Sequence, residues 1–275
     1  MPGARTSALL IPQLIPSAIW TDIIATAVRY DAIGAWAAGA PSRLTVAQAG
    51  LHVVAADLTL ASNAGGVRLA RILSNNTRYE ATAGQAPPAA PGETSWAMST
   101  LVNPAIADWY TTGIYQTAGV ALNTGGAAEY GTDFSLARLP AGSVGARREQ
   151  TVGQAIPAGV WTTLTWGPTV FDTGGMVSGT GLIAPNDGTY VMWAGATVAT
   201  SAANLQGLAI VVDGGSGAAY SMPAQSASSA PAWSVTHVQP LLAGQLAYVQ
   251  AYQAAARTLD VASLRPYLAM ARVGP

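Results

Sequence analysis

The stretch IPSAIWTDI at residues 15–23 returns as IPAGVWTTL at residues 156–164, which is 141 positions further along the chain. Ile, Pro, Trp and Thr recur at the same offsets, and the last residue is aliphatic in both copies. A single short match is weak evidence for a duplication. A duplicated chain should also show matches in the sequence that flanks each copy.

Further matches follow in the same order along the two halves of the chain. They are YDAIGAW (30–36) with FDTGGMV (171–177), LTVAQAGLHVVAADLTLAS (44–62) with LIAPNDGTYVMWAGATVATS (182–201), IYQTAGVAL (114–122) with AYQAAARTL (251–259), and DFSLARL (133–139) with YLAMARV (267–273). Self-similarity that keeps its order is the signature of an internal repeat, here with units of roughly 120–130 residues. The sequence therefore predicts a tandem duplication.

The matched segments alternate apolar and polar residues with the period of two that half-buried strands show. Turn sequences such as NAGG (63–66) and PNDG (185–188) separate them. WTDIIATAVRY (20–30) could form a helix, but its counterpart WTTLTWGPTVF (161–171) contains Gly-Pro, which a helix interior does not accommodate. We therefore predict strands in both places and an all-β fold.

The domain organisation follows from the repeat and from local composition. Prolines at 12 and 16 interrupt the apolar start of the chain, and residues 140–154 are rich in small and polar side chains. The predicted segments are an N-terminal extended arm (1–14), a first unit (15–140), a linker (141–154) and a second unit (155–275). Removal of the arm is expected to weaken assembly and to leave the β fold intact.

Composition excludes several classes of function. Only 9% of the residues are charged and the net charge is −1, so neither a nucleic acid nor an anionic membrane is an expected partner. No apolar run is long enough to predict a spanning helix. All 12 cationic residues are arginine, which is typical of coding bias in a GC-rich genome, and the absence of cysteine excludes disulfides.

No catalytic constellation is recognisable in the sequence, so we predict a protein that is not an enzyme. His52 and His237 fall at positions of the two units that do not match, and a metal site needs several converging ligands. The acidic residues that could bind calcium are isolated, and such acids more often form turns through their own backbone. No cofactor is expected, and calcium stays an open alternative.

The aromatic residues are the remaining candidates. Trp20 and Trp161 match each other, as do Tyr115 and Tyr252, and we predict that these retained residues lie in the core. Trp96, Trp109 and Trp233 lie at the ends of loops or strands. Beside polar residues they could stack on sugar rings, or they could pack in a core or subunit interface, and we keep these three as candidate ligand contacts.

The segment FDTGGMVSGTGLIAPNDGTYVMWAGATV (171–198) resembles the globular heads of complement-type proteins, which have the tumour-necrosis-factor-like jelly roll. The resemblance extends to the first unit through the repeat. It implies two tandem antiparallel jelly-roll β-sandwiches, a core strand that contains Tyr190, and assembly into homotrimers. The chain departs from the family in carrying one aromatic residue in its last strand and two heads in tandem.

Together these features predict a non-enzymatic virion structural protein of a tailed bacteriophage, assembled in the host cytoplasm. A minor tail or fibre-tip protein that contacts a host-surface glycan is the first hypothesis. A capsid decoration protein, with residues 1–14 binding other virion proteins, is the alternative. A secreted lectin or polysaccharide-active protein is the second alternative.

Overall fold

The computed structural model describes residues 2–7, 12–63, 65–85, 93–125, 132–197, 206–213, 218–221, 232–262 and 265–275. Every regular element within these ranges is a β-strand, as the alternating sequence predicts. The chain divides into two compact units, Met1–Leu139 and Pro140–Pro275.

The first unit is built from two antiparallel sheets. Its strands are β1 (Gly3–Ser7), β2 (Leu14–Ile15), β3 (Thr21–Asp22), β4 (Ala27–Asp31), β5 (Arg43–Thr45), β6 (His52–Leu60), β7 (Arg68–Ser74), β8 (Arg78–Gln85), β9 (Thr94–Val102), β10 (Trp109–Gln116), β11 (Leu122–Asn123) and β12 (Asp133–Arg138). One sheet has the order β4-β1-β12-β6-β9. The other has the order β3-β10-β7-β8, with β5 also paired to β10, and β2 pairs with β11.

The second unit repeats this plan. Its strands are β13 (Gly145–Glu149), β14 (Ala155–Ile156), β15 (Thr162–Thr163), β16 (Thr169–Asp172), β17 (Val177–Ser178), β18 (Gly181–Ile183), β19 (Gly188–Thr197), β20 (Gln206–Val212), β21 (Ala218–Ser221), β22 (Ala232–Leu241), β23 (Leu246–Gln253), β24 (Arg257–Thr258) and β25 (Tyr267–Gly274). The sheets run β16-β13-β25-β19-β22 and β17-β18-β23-β20-β21, with β15 paired to β23 and β14 to β24. The shared strand order confirms the predicted all-β fold of two tandem jelly rolls.

Each core lies between the two sheets of its unit. Along β23, Ala247, Val249 and Ala251 are buried and alternate with partly exposed residues, because successive side chains of a strand point to opposite faces. In the first unit the inward residues of both sheets, such as Val54 and Ile72, join one apolar cluster. The inward faces therefore define the core, and the outward faces carry the side chains available for binding.

The structure corrects the predicted arm. Residues 3–7 form β1, which pairs with β12 on one side and β4 on the other. Ala4 is fully buried and Thr6 is 2% exposed, so this part of the predicted arm belongs to the sandwich. With Gly, Ala, Arg and Ser among its five residues, β1 has a weak strand signal, and pairing on both sides supplies what propensity does not. Met1 and residues 8–11 of the predicted arm lie outside the described residues.

The structure also corrects the predicted linker. Residues 145–149 form β13, which pairs with β25 and β16, and the unit boundary falls between residues 139 and 140. Arg147 and Glu149 are 1% and 2% exposed, and an ion pair of 3.1 Å joins Arg147 Nη2 to Glu149 Oε1. Their charges suggested a solvated segment, but burial becomes acceptable when the two charges are paired.

Candidate functional site: two aromatic surface clusters

The segment repeated in the sequence passes from the core of each unit to its surface. Ile15 and Ile156, at its start, are fully buried. At its tip, Ile19 is 57% exposed and Val160 is 53% exposed. The duplicated sequence therefore keeps an apolar surface tip as well as a core anchor, and the fold alone gives no reason to keep the tip apolar.

The backbone of the tip has the same conformation in both units. Ala18 and Gly159 occupy equivalent positions with φ of 64° and 73°. Their amides donate to the carbonyl oxygens of Gln116 and Gln253, each over 2.7 Å. The left-handed region is unfavourable for alanine, so the surrounding structure must hold Ala18 there.

A glutamine fixes the strand that follows each tip. Gln13 Nε2 donates to the Asp22 carbonyl oxygen over 2.8 Å, and the Ile24 amide donates to Gln13 Oε1 over 2.8 Å. Gln154 makes the equivalent pair of bonds, from its Nε2 to the Thr163 oxygen over 3.0 Å and from the Thr165 amide to its Oε1 over 2.9 Å. In both units, these bonds join the glutamine before the tip to the strand after it and to a residue just beyond that strand.

The repeated tryptophans stack on tyrosines of the adjacent strand. Trp20 and Tyr115 have ring centroids 5.5 Å apart and planes tilted by 38°. Trp161 and Tyr252 have centroids 5.5 Å apart and a tilt of 44°. Both pairs fall within the range of about 4.5–7 Å that favours aromatic contact. Trp161 is 36% exposed, and the other three rings are partly exposed.

In the first unit, charged side chains complete the aromatic pair. The Arg71 guanidinium carbon lies 4.3 Å from the centroid of the Trp20 ring and 5.7 Å from that of the Tyr79 ring. Its Nη2 is 3.4 Å from Asp22 Oδ1, and its Nη1 is 3.4 Å from the Tyr79 hydroxyl. Trp20, Tyr115, Arg71, Asp22 and Tyr79 form what we call the first cluster.

In the second unit, a neutral polar pair lies beside the aromatic pair. Gln250 Nε2 lies 3.4 Å from Thr163 Oγ1, beside Trp161 and Tyr252. We call these four residues the second cluster. Both clusters therefore combine a partly exposed aromatic pair with a polar pair joined by one long hydrogen bond.

Four of the five residues predicted to lie in the core are on the surface in the structure, and Tyr190 is in the core. Trp20, Trp161, Tyr115 and Tyr252 belong to the two surface clusters. The repeat correctly equates them, but retention in both copies does not reveal which face of the sheet they occupy. Tyr190 is fully buried, and its hydroxyl donates to the Asn186 carbonyl oxygen over 2.7 Å.

Two of the three predicted ligand contacts are buried. Trp96 and Trp233 are 5% and 1% exposed, at equivalent inward positions of β9 and β22. Proximity to a loop suggested exposure, but the alternation of the strand turns both indoles into the core. Trp109 is partly exposed on the outward face of β10, with the Arg43 guanidinium carbon 5.0 Å from its ring centroid.

The histidines are placed apart from both clusters. His52 is 1% exposed, and its Nδ1 lies 2.8 Å from the Gly50 carbonyl oxygen. Burial lowers the pKa of His52, and the nearby Arg138 charge lowers it further. His237 Nε2 lies 2.9 Å from Gln239 Oε1.

The repeated aspartates organise turns. Asp31 accepts from the amides of Ala35 and Trp36 over 2.8 and 3.0 Å, and Asp172 accepts from those of Met176 and Val177 over 2.9 and 3.1 Å. Burial acts to raise the pKa of Asp172, but hydrogen bonds from these amides and from Gly174 and Gly175 lower it overall. Bonds to the local backbone occupy carboxylate oxygens that a cation would otherwise use.

The described residues hold no candidate for two other kinds of site. In that part of the chain, His, Asp and Glu side chains form no group of three or more that could hold a metal ion. Over the same residues, no helix has both the length and the apolar character needed to cross a membrane. The two aromatic clusters remain the candidate sites.

No protein-family model and no curated protein matches this chain. Among solved structures, it is similar to murine APRIL, with 12% identity and a TM-score of 0.39, over 47% of this chain and 98% of that one. A Paenibacillus xanthan lyase shows 12% identity and a TM-score of 0.26, over 98% of this chain and 26% of the lyase. The CBM22-1–CBM22-2 tandem of Paenibacillus barcinonensis Xyn10C shows 8% identity and a TM-score of 0.24, over 97% and 99%. The jelly-roll assignment rests on the strand order itself.

Proposed function

We propose that this chain is a non-enzymatic structural protein of a tailed-bacteriophage virion, located in the tail or at a fibre tip. In this proposal its aromatic clusters contact a glycan on the host surface. The observation that carries the proposal is the repetition of a partly exposed Trp–Tyr pair, at one place in the fold, on both units.

Exposed aromatic rings beside polar groups suit a carbohydrate ligand. The apolar face of a sugar packs on an aromatic ring, while its hydroxyls need hydrogen-bonding partners at the ring's edge. Both clusters provide these elements within the same few strands. Two sites on one chain also favour a repeating polymer, because binding at one site raises the effective concentration at the other.

The virion assignment rests on sequence character. A duplicated jelly roll with 9% charged residues and no cysteine suits a particle component whose surface is covered by neighbouring proteins. Capsid decoration, with residues 1–14 lying on the shell, stays the first alternative, although residues 3–7 pair within the sheet of the first unit. A secreted lectin or polysaccharide-active protein stays the second alternative, because either would use the same aromatic clusters.

Cell binding tests the role of the clusters. Fluorescently labelled protein is incubated with a panel of bacteria of high GC content, and the Trp20→Ala/Trp161→Ala double variant is compared with wild type. We expect wild type to bind at least one strain and the double variant to lose most of that binding. Tyr30→Ala is the matched control, because Tyr30 is 50% exposed but lies on the other sheet. Equal binding by the double variant would contradict the role of the clusters.

Immunogold labelling of phage particles from the encoding host tests the virion assignment. We expect antibodies against the protein to label the tail or its tip. Labelling of the head would support capsid decoration instead. Secreted protein with unlabelled particles would support the lectin alternative.

A further inference from the structure

We infer that Asp22 and Arg71 form the hydroxyl-binding pair of a saccharide subsite on the first unit, and that Thr163 and Gln250 form a neutral version on the second unit. The ligand class is an uncharged saccharide with two adjacent free hydroxyls. This inference rests on the proposed function, because it assumes that the aromatic clusters bind glycan.

Asp22 and Arg71 lie on either side of Gly113 in the sheet. Gly113 pairs with Asp22 on one side and with Arg71 on the other, so all three lie on the outward face of the sheet. A Cβ at Gly113 would lie 3.1 Å from Asp22 Oδ1 and 3.4 Å from Arg71 Nε. The absence of a side chain at residue 113 therefore lets the charged groups approach each other beside the Trp20 ring.

The second unit shows a linked change at the same positions. Thr163 and Ala209 both pair with Gln250, as Asp22 and Arg71 pair with Gly113. In the first unit, the β7 position holds the long side chain of Arg71 and the β10 position holds Gly113. In the second unit, the β23 position that matches Gly113 holds the long side chain of Gln250, and the β20 position that matches Arg71 holds Ala209. Each arrangement brings one nitrogen donor and one oxygen acceptor to the edge of the aromatic pair.

The hydrogen bond within each polar pair is long. Both polar pairs are separated by 3.4 Å, which is longer than the usual 2.7–3.2 Å of an N–H···O bond. A long bond costs little to exchange for bonds to a ligand. One sugar hydroxyl can donate to the Asp22 carboxylate while its neighbour accepts from the Arg71 guanidinium.

Burial supports the same assignment. The Arg71 side chain is 14% exposed, held between Trp20 and Tyr79, and Asp22 is 33% exposed. A guanidinium held between rings has lost most of its conformational freedom, so further ordering on ligand binding costs little. Hydrogen bonds that involve a charged group are also stronger than neutral ones. We therefore expect the first unit to bind its sugar more tightly than the second.

Calorimetry with single-site proteins tests this inference. Trp161→Ala leaves only the first cluster, and Trp20→Ala leaves only the second. Each is titrated with neutral hexasaccharides of glucose, galactose, mannose or arabinose. In the Trp161→Ala protein, we expect Asp22→Asn and Arg71→Met each to weaken binding about tenfold or more. Methionine keeps the apolar stem between the rings, and thermal unfolding of each variant checks that the fold is retained.

Arg43→Met provides the matched control. Arg43 also stacks on a tryptophan of the same sheet, Trp109, but lies outside the first cluster, so its substitution should leave the affinity unchanged. The reciprocal variant combines Thr163→Asp, Ala209→Arg and Gln250→Gly in the Trp20→Ala protein. We expect it to bind more tightly than the Trp20→Ala parent, towards the affinity of the first unit.

The outcomes separate this inference from the proposed function. If Asp22→Asn and Arg71→Met bind like their parent, the polar pair is not the recognition element, although the aromatic clusters can still bind glycan. If the wild type binds none of the hexasaccharides, the ligand class is wrong. Cell binding and particle labelling then decide the proposed function independently.

Discussion

At the scale of single residues, two pairs of repeat-equivalent tryptophans have opposite roles. Trp96 and Trp233 fill the cores of their units, whereas Trp20 and Trp161 belong to surface clusters. The repeat shows which tryptophans correspond, but a surface pair duplicated with its unit is as well matched as a core pair. Only the register of each strand decides which face a side chain occupies.

The difference in burial predicts a difference in stability. Trp233→Ala removes a large core side chain and should lower the free energy of unfolding by about 3–5 kcal/mol. Trp161→Ala removes an exposed ring and should cost about 1 kcal/mol or less. Urea unfolding of the full-length variants measures both values. A larger loss for Trp161→Ala than for Trp233→Ala would contradict the two placements.

His52 makes the first unit sensitive to pH. Its pKa lies below the ordinary 6.5 in the folded state because the ring is buried, so the unfolded chain binds more protons as the pH falls below that value. The free energy of unfolding should therefore decrease from pH 7.5 to pH 5.5, a range chosen to span roughly the pKa of an unperturbed histidine. Urea titrations at both pH values should show a smaller decrease for His52→Gln.

His237→Gln provides the control for that measurement. The His237 ring is partly exposed and belongs to the second unit, so this variant controls for the loss of a histidine outside the first unit. An unchanged pH dependence in His52→Gln would show that another group is responsible.

At the scale of elements, the repeat corrected local propensity. WTDIIATAVRY has a helix-like composition, yet the structure has β3 and β4 there, as its partner segment predicted. The sequence did not predict the strands β1 and β13, which lie in the segments predicted as the arm and the linker. β1 is short and made of small or polar residues, and β13 carries charges that are neutralised by pairing within the fold. Neither situation produces an alternating apolar pattern.

The interior position of β1 makes the N-terminus essential to the first unit. Deletion of residues 1–7 should leave β12 and β4 without their shared partner, and we expect the first unit to unfold. The loss of β-sheet signal in circular dichroism, together with protease cleavage confined to the first unit, measures this outcome. A deletion variant that keeps the wild-type spectrum and protease resistance would contradict the assignment of β1 to the sandwich.

At the scale of the whole molecule, the duplication places one aromatic cluster on each of two jelly rolls. The fold class was predictable, because strand alternation and the order of the repeats are long-range patterns that many residues share. The clusters were not, because Asp22, Arg71 and Gly113 come from three strands and meet only through sheet register. The one signal of the clusters in the sequence was the repeated apolar residue at Ile19 and Val160. Both residues are exposed, so packing in the core does not explain why they are apolar.

Self-association is also a property of the whole molecule. Large apolar side chains remain exposed on both units, including Ile106 at 64% and Val152 at 75%, and few charges oppose contact between copies. We propose a homotrimer, for which light scattering should give three times the chain mass of 27.8 kDa. A mass equal to one chain at micromolar concentration would contradict the trimer and leave the glycan proposal untouched.

The central claim is that the repeated segment presents its tryptophans to a ligand while the strand tryptophans lie in the core. Hydroxyl-radical footprinting with mass spectrometry, with and without a bound hexasaccharide, tests both halves of that claim. We predict rapid oxidation of Trp20 and Trp161 in the free protein, protection of both by the sugar, and little oxidation of Trp96 and Trp233 in either state. Oxidation of Trp20 and Trp161 that is unchanged by bound sugar, or faster oxidation of Trp96 and Trp233, would contradict it.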